Sequence, residues 1–355
     1  MKIINSIFFI LLCLTTYGQE DINKYLSNHH YSFSLDKGFD KQTKDTLKLK
    51  LNNYKLILQA EGGSHYLKFY EQLPFMWVKF LNTNFNLKHF FFEFGATGAV
   101  CGNKFLETGD TSFLGSGKVR DWQQYFQLNS NLENSNKTKV FGVDFNQPKN
   151  YFKSLNILLP KSAPPKTISN IIELIRNGSD SSKDCNYIVK INSQIEKDLL
   201  LNTQDYIQFL GTSFKDFKRI ATNKGTCKDV FRNRNNNLAS NFISYDNDIN
   251  EKMYYGELGM AHTNLSSKGD AATIINNTPK FKDKVCVISL YCYNCTTEKE
   301  KVSNWSLKSI EKDIQKYFLP FCVSDFTLFD LSDNIELTKE YRAFGQYLII
   351  VKDQN

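Results

Sequence analysis

Short apolar runs that alternate with helical periodicity are the feature of this sequence that most restricts its fold. Tyr54–Ala60 is an apolar run that ends in Glu61-Gly62-Gly63, and apolar residues then recur at helical spacing from Leu67 to Leu81. A short apolar run closed by glycines predicts a buried strand, and the following stretch predicts a helix. This order is the beginning of a β-α-β unit.

The same pattern occurs twice more. His89–Phe94 is a second apolar run, closed by Gly95 and followed by an Ala/Gly-rich helical stretch to Thr108. A helical pattern over Val119–Leu132 then precedes a third strand at Lys139–Phe145. Three such units predict an α/β fold, with a mostly parallel sheet covered by helices in a three-layer domain.

The alternation stops after the third strand and resumes later. A proline-rich linker at Leu159–Lys166 leads into Thr167–Phe242, where helical periodicity dominates, and this segment predicts a helical insertion. Strand patterns return at Met253–Glu257, Lys284–Tyr291, Phe326–Asp330 and Gln346–Val351. We therefore predict an N-terminal arm at 19–50 lying on the domain, and a single α/β domain at 51–355 with the insertion at about 167–242.

The first eighteen residues have the pattern of a cleavable signal peptide. Lys2 precedes the apolar run Ile3–Leu14, and small residues follow at Thr16-Tyr17-Gly18. We therefore expect export to the periplasm or the extracellular medium. No later apolar stretch reaches the roughly 20 residues that span a bilayer, so we expect no stable membrane anchor.

Composition and motifs exclude several classes of function. The formal net charge is +7, but the lysines are dispersed among acidic residues without a dense basic block, which argues against a nucleic-acid partner. The sequence contains no Gly-x-Ser-x-Gly elbow, and Gly115-Ser116-Gly117 has neither P-loop nor Rossmann spacing. We expect a small-molecule substrate and no cofactor.

Seven cysteines remain after signal cleavage, so at least one is unpaired. In an oxidising compartment, bridges between Cys185 and Cys227 and between Cys292 and Cys295 are the favoured pairings. Buried thiols at the Cys292-Tyr-Asn-Cys295 motif are the alternative, because a zinc site would need further ligands nearby.

Polar residues follow four of the predicted strands at the ends where open parallel sheets bind ligands. Glu61 and His65 follow the first strand, Glu93 and Asp144 lie near the ends of the next two, and His262 follows the fourth. Each residue alone is more often a structural cap, but their convergence predicts a shared site. His89 begins its strand and is assigned a structural role, while periodicity leaves open whether Glu257 faces the core or the site.

The order of these motifs resembles a known family. The motifs are Glu61-Gly-Gly-Ser-His65, Glu93-Phe-Gly95, Gly142-Val-Asp144, Arg234-Asn-Asn-Asn-Leu-Ala-Ser-Asn241 and Gly259-Met-Ala-His262. In this order they resemble the erythromycin esterase family and the wider group of ChaN-like haem-binding and Tiki/TraB-type proteins. This chain departs from the pattern because Ala60 replaces the glycine before the glutamate and one extra residue separates Glu61 from His65, which is typical of a diverged member.

The resemblance implies hydrolysis of an ester or amide by water that a histidine activates. His65 matches the activating residue, Glu61 or Glu93 would orient it, and His262 would act as acid or bind the oxyanion. Arg234 and Asp144 would bind substrate. Two alternatives remain open: a divalent metal held by His65, His262, Glu61 and Glu93, as in Tiki/TraB-type proteins, or haem or iron bound without turnover, as in ChaN.

Overall fold

The computed structural model describes residues 21–62, 67, 69, 71–114, 121–133, 136–180, 184–225, 232–296, 302, 304–334 and 345–353. The predicted signal peptide, His65 and Cys227 lie outside this set. Eight strands form one sheet in the order β1-β7-β8-β6-β2-β5-β3-β4. They are β1 His30–Phe33, β2 Leu56–Glu61, β3 His89–Gly95, β4 Lys139–Asp144, β5 Tyr254–Gly259, β6 Val285–Tyr293, β7 Phe326–Asp330 and β8 Tyr347–Lys352.

The predicted α/β class with a mostly parallel sheet is confirmed. The pairs β2–β5, β2–β6, β3–β4, β3–β5 and β6–β8 are parallel, whereas β7 pairs antiparallel with both β8 and β1 and is the one described strand that runs against the others. Helices cover both faces, which explains why the central strands are nearly continuous apolar runs. The layered architecture that the sequence predicted is therefore the one observed.

The α-helices in the described residues are α1 Lys41–Leu51, α2 Gln72–Phe85, α3 Ala96–Thr108, α4 Asp121–Ser130, α5 Tyr151–Leu158, α6 Ser169–Arg176, α7 Cys185–Leu201, α8 Thr203–Leu210, α9 Phe214–Thr222, α10 Arg234–Ile249, α11 Ala271–Asn276 and α12 Glu311–Asp313. Helices α2 to α4 and α6 to α10 lie in segments whose periodicity predicted them, whereas α1, α5, α11 and α12 were not predicted. Pro74 falls in the first turn of α2, where no backbone N–H is needed for the helix ladder, so the helix continues past it.

The segment predicted as an N-terminal arm contributes directly to the sheet. Its residues His30–Phe33 form β1, which pairs with β7, and Leu47 and Leu51 of α1 are buried in the core. The segment lacks an extended apolar alternation because β1 is only four residues long and sits at a sheet margin. Part of it is therefore an integral element and does not merely lie on the domain.

The helical insertion has a core of its own. Helices α6 to α9 bury apolar residues such as Ile172, Ile191 and Phe217 in a cluster separate from the two clusters that cover the faces of the sheet. This cluster also includes Ala96 and Val100, the apolar face of α3. The insertion is thereby packed beside the end of β3 from which α3 emerges.

Side chains cover the exposed margin of the sheet at β4. Asn103 accepts from the N–H of Val140 and donates to its carbonyl, with distances of 2.9 and 2.8 Å. Asn129 makes the same paired contact with Thr138, and Tyr245 donates to the carbonyl of Gly142 at 3.0 Å. Because an edge strand otherwise presents unpaired backbone groups, these side chains end the sheet at β4.

The cysteine predictions have mixed outcomes. Cys185 is disulfide-bonded, while its predicted partner Cys227 lies outside the described residues. The prediction of a bridge between Cys292 and Cys295 is wrong: both are buried thiols, with Cys292 in β6 and Cys295 directly after it. Their burial in the core under the end of β6 corresponds to the alternative of buried thiols.

Of the helices in the described residues, none combines the length and the apolar character needed to cross a membrane.

Candidate active site

The ends of four neighbouring strands bring the predicted residues to one edge of the sheet. In the order β2-β5-β3-β4, Glu61 closes β2, Gly259 closes β5 just before His262, Glu93 lies near the end of β3, and Asp144 closes β4. Parallel strands present their carboxyl ends at the same edge, which is why residues up to two hundred positions apart meet there. His65 lies outside the described residues.

Helix α10 places Arg234 at this edge. One stripe of the helix, formed by Leu238, Phe242 and Tyr245, is buried against β3 and β4. Arg234 continues that stripe one turn earlier, at the first position of the helix. The packing of the apolar stripe therefore directs the guanidinium toward the ends of the strands.

Arg234 joins two carboxylates. Its Nη2 lies 2.6 Å from Oε1 of Glu93 and 2.6 Å from Oδ2 of Asp144, and its Nε donates to Oδ1 of Asp144 at 3.3 Å. The Asp144 side chain is only 7% exposed, whereas Arg234 is 26% exposed. Asp144 therefore lies behind the guanidinium and holds it, and its role in binding substrate stays a prediction.

Glu93 also links Arg234 to His262. Its Oε1 lies 3.5 Å from Nε2 of His262, and its Oε2 accepts from the backbone N–H of Gly259 at 2.5 Å. On the other side of the imidazole, Nδ1 lies 2.6 Å from Oδ1 of Asn235. The carboxylate thus contacts β5, α10 and the turn that carries His262.

Glycines permit the close approach of these strand ends. A Cβ on Gly142 would lie 2.2 Å from the carbonyl oxygen of Gly95, and one on Gly259 would lie 3.2 Å from Oε2 of Glu93. Any larger residue at Gly142 would separate the ends of β3 and β4. The glycines of the Glu93-Phe-Gly95 and Gly142-Val-Asp144 motifs thus bring Glu93 and Asp144 close enough to share Arg234.

The pKa values of the two carboxyl groups move in opposite directions. Burial acts to raise the pKa of Glu93, but the contact with His262, together with Arg234 and the Gly259 N–H, outweighs burial and lowers the pKa. Burial raises the pKa of Asp144, and the negative charge of Glu93 adds to this, although Arg234 partly offsets both. Glu93 is therefore the carboxylate that stays ionised at lower pH.

Arg234 keeps its positive charge. Burial acts to lower its pKa, but the hydrogen bond from Arg234 to Asp144 and the charges of Glu93, Asp144 and Glu61 raise it above the ordinary value. The influence of Glu61 places that carboxylate in the same electrostatic site. The described part of the site therefore has three acidic side chains around one guanidinium and one imidazole.

Two polar residues lie apart from this cluster. Glu257, whose orientation the periodicity left open, is 1% exposed on the face of β5 that packs into the core with Tyr255, opposite Gln59 of β2. His89 lies at the other end of β3, where burial and the charges of Lys139 and Arg219 lower its pKa to about 4. The predicted structural role of His89 is consistent with this position.

Sequence reasoning did not identify Asn235 or the N–H of Gly259. Asn235 directly follows Arg234 at the start of α10, and nothing in its spacing distinguishes it from the two asparagines that follow it. Gly259 belongs to the Gly259-Met-Ala-His262 motif, but it contributes a backbone N–H and no side chain. Side-chain chemistry alone therefore could not identify either residue.

The described residues do not form a metal site. No group of three or more His, Cys, Asp or Glu side chains in that part of the chain is arranged to hold a metal ion. Both oxygens of Glu93 already accept, and the positive charge of Arg234 is 2.6 Å from one of them. Glu93 is thereby neutralised by the protein's own guanidinium, and the predicted metal set of His65, His262, Glu61 and Glu93 stays a prediction because His65 lies outside the described residues.

Comparison with known proteins gives similarity in structure but none in sequence. No protein-family profile and no curated protein matches the chain. A crystal structure of a Bacillus cereus protein superposes with a TM-score of 0.68 at 14% identity, covering 94% of this chain and 97% of that one. A succinoglycan biosynthesis protein superposes with a TM-score of 0.64 at 12% identity, covering 94% and 97%.

The erythromycin esterase EreC, solved as a histidine-to-asparagine mutant in its open conformation, superposes with a TM-score of 0.60 at 10% identity. The match covers 89% of this chain and 94% of the esterase. This chain has the fold of erythromycin esterase. Haem-bound ChaN of Campylobacter jejuni reaches a TM-score of only 0.36, which is too low to relate the two folds.

Proposed function

We propose that this protein is an exported hydrolase that cleaves an ester or amide of a small molecule with water activated by a histidine. The observation that carries the proposal is the contact of one carboxylate oxygen, Oε1 of Glu93, with both Arg234 and His262. The cluster lies at the carboxyl edge of the parallel sheet, where this architecture binds ligands. The fold shared with erythromycin esterase supports the same reaction class.

His65 is the proposed general base, on the resemblance of its motif. In that role it takes a proton from water as the water oxygen attacks the carbonyl carbon. Imidazole suits this step because its ordinary pKa lies near neutrality. Glu61, which ends β2 four residues earlier, is the proposed carboxylate partner of the base.

His262 is the proposed acid. Its Nε2 points toward the ionised Glu93, which stabilises the imidazolium before the proton is transferred. Nε2 would then donate to the developing oxyanion or to the leaving group as the carbonyl–leaving-group bond breaks. Glu93 thus serves as the positioning residue that orients His262.

Arg234 is the proposed donor to a carbonyl oxygen of the substrate. Its Nε and Nη2 are held by Asp144 and Glu93, while Nη1 forms no hydrogen bond with the described residues. Two carboxylates on one guanidinium leave no net positive charge to attract an acidic substrate, so we favour a neutral carbonyl over a carboxylate as its ligand. Asp144 acts by fixing the guanidinium plane.

Export suits this chemistry. Hydrolysis needs only water, whereas ATP or reduced nicotinamide would have to be supplied outside the cytoplasm. The proposed secretory signal and the proposed reaction are thus compatible with each other.

The test is hydrolysis of p-nitrophenyl acetate and p-nitrophenyl butyrate by the mature protein and by Glu93→Gln. Loss of the Glu93 charge should lower kcat/KM by roughly 10²–10³-fold, because a preorganised charge in a catalytic site contributes on that scale. Glu107→Gln on the surface of α3 is the matched control and should retain full activity, since its side chain is 66% exposed.

Three further measurements decide between this mechanism and its alternatives. His65→Ala should abolish the same activity with an unchanged circular dichroism spectrum. One tightly bound divalent ion per purified chain would contradict the metal-free mechanism. If neither ester nor an amide panel is cleaved and added haemin gives an absorption band that His262→Ala removes, the protein is a haem binder and the proposed hydrolysis is wrong.

A further inference from the structure

The imidazole of His262 has an oxygen acceptor on each side. Oδ1 of Asn235 lies 2.6 Å from Nδ1, and Oε1 of Glu93 lies 3.5 Å from Nε2. The first distance is a short hydrogen bond, while the second exceeds the usual range for a direct N–H···O bond. Asn235 therefore holds Nδ1 more tightly than Glu93 holds Nε2.

An amide oxygen only accepts hydrogen bonds, so the contact with Asn235 requires a proton on Nδ1. In a neutral imidazole a proton on Nδ1 leaves the lone pair on Nε2, and the partner of one nitrogen sets the role of the other. Nε2 is the nitrogen that faces Glu93 and, through it, Arg234.

We propose that Asn235 is a positioning residue that fixes the Nδ1–H tautomer of His262 and makes Nε2 the nitrogen that exchanges the catalytic proton. This inference rests on the proposed hydrolysis and adds a residue to it. The imidazolium donates from Nδ1 to Asn235 throughout the reaction. When the carbonyl–leaving-group bond breaks, the leaving atom takes the Nε2 proton, while the general base holds the proton removed from water.

The neutral amide suits this role better than a carboxylate would. The charged groups that face His262 are Glu93 on β3, Arg234 on α10 and Asp270 just before α11; burial raises the pKa of Asp270, and His262 partly offsets this. A further carboxylate at Nδ1 would stabilise the imidazolium and hold its proton more tightly. Asn235 orients the ring without adding that charge.

One helix end supplies both contacts. Arg234 and Asn235 are the first two residues of α10, so the packing that brings the guanidinium to Glu93 also brings the amide to His262. The position of the acid and the charge of its carboxylate partner therefore depend on the same turn of helix.

Nitrogen-15 NMR of histidine-labelled protein tests the tautomer without any substrate. At a pH where the ring is neutral, the His262 signals, assigned by their loss in His262→Gln, should show a protonated Nδ1 and an unprotonated Nε2. Asn235→Ala should shift them toward the Nε2–H form, and Asn236→Ala, at an exposed position next to it, should leave them unchanged. A wild-type Nε2–H tautomer, or an Nδ1–H tautomer that persists in Asn235→Ala, would overturn the proposal.

The pH profile of ester hydrolysis tests the consequence for catalysis. Asn235→Ala should lower kcat/KM by roughly 10²-fold, within the range for loss of an oriented acid–base group. Asn235→Asp should restore the tautomer and move the alkaline limb of the profile to higher pH, because a carboxylate beside Nδ1 favours the imidazolium. If the alkaline limb of the Asn235→Asp profile does not move, the positioning role is wrong. If the wild type hydrolyses no ester, the proposed function is wrong, and the NMR result alone decides the tautomer.

Discussion

Helix α10 carries charged residues at both ends, and the two ends are neutralised in opposite ways. At the amino ends of the strands, the buried Asp246 meets two bases: Lys280 at 2.5 Å and Lys55 at 3.9 Å. At the carboxyl ends, Nη2 of the single base Arg234 is shared by Glu93 and Asp144. At the amino ends of the strands two bases contact one acid, and at the carboxyl ends one base contacts two acids.

This difference distinguishes a structural cluster from a cluster that could take part in a reaction. Asp246 has its charge compensated twice and also accepts from the hydroxyl of Tyr254 at 2.9 Å, so its contacts are satisfied within the protein. Around Arg234, burial and the neighbouring carboxylate raise the pKa of Asp144, while Glu93 relies on His262 for the rest of its compensation. Opposed pKa shifts in one cluster are typical of functional sites.

Removal of Asp246 should give the largest effect on stability. Asp246→Ala leaves Lys55 and Lys280 without their buried acceptor, and we expect a loss of about 3–5 kcal/mol in the free energy of unfolding. Urea denaturation measures this loss, and Glu107→Ala, whose side chain is 66% exposed, is the surface control with a loss below about 1 kcal/mol. The kcat/KM of the folded Asp246 variant should equal that of the wild type. If ester hydrolysis fell and stability did not, the assignment of the two ends would be reversed.

His89 allows the comparison to be sharpened through pH, since it is the histidine at the amino end of β3. Burial, with Lys139 and Arg219, lowers its pKa from 6.5 to about 4, so the folded state disfavours the protonated ring. Glu251, with Oε1 3.1 Å from Nδ1, favours protonation, but its side chain is 32% exposed and burial dominates.

The sign of the pH effect follows from proton binding. Between pH 6.5 and 4 the unfolded chain binds a proton at His89 that the folded chain does not bind. The contribution of the neutral His89 to the free energy of unfolding is therefore complete above pH 6.5 and is lost as the pH falls toward 4. The loss should reach about 3 kcal/mol. Unfolding free energies of wild type and His89→Gln at both pH values isolate this contribution, and equal losses in the two proteins would contradict the assignment.

The outer margin of β4, at the edge of the sheet, should show a smaller effect. Asn103→Ala removes two hydrogen bonds to the backbone of Val140, and we expect a loss of about 1–2 kcal/mol with no change in kcat/KM. Lys104→Ala on the same helix is the control, because its ion pair with Glu107 is at the surface. A fall in ester hydrolysis for Asn103→Ala alone would show that sensitivity to mutation extends beyond the carboxyl end.

Much of the site was predictable because it depends on local patterns. Glu61, Glu93 and Asp144 lie at strand ends that apolar runs and glycines already marked, and parallel strands bring those ends to one edge. The role of Asp144 was not predictable, since its burial behind Arg234 depends on how α10 packs against β4. The short strand β1 was missed because four residues with one buried side chain carry little periodic signal.

By itself the sequence determined seven of the eight strands, the parallel sheet and the edge at which polar residues gather, because these follow from the spacing of apolar residues and from turn chemistry. Only the tertiary structure decided that Glu93 joins Arg234 to His262, that Asn235 faces Nδ1, and that Cys292 and Cys295 are not bridged. Such contacts depend on strand register, on close approach at glycines and on the angle at which a helix packs. Those quantities are set by the core as a whole and leave no local pattern in the chain.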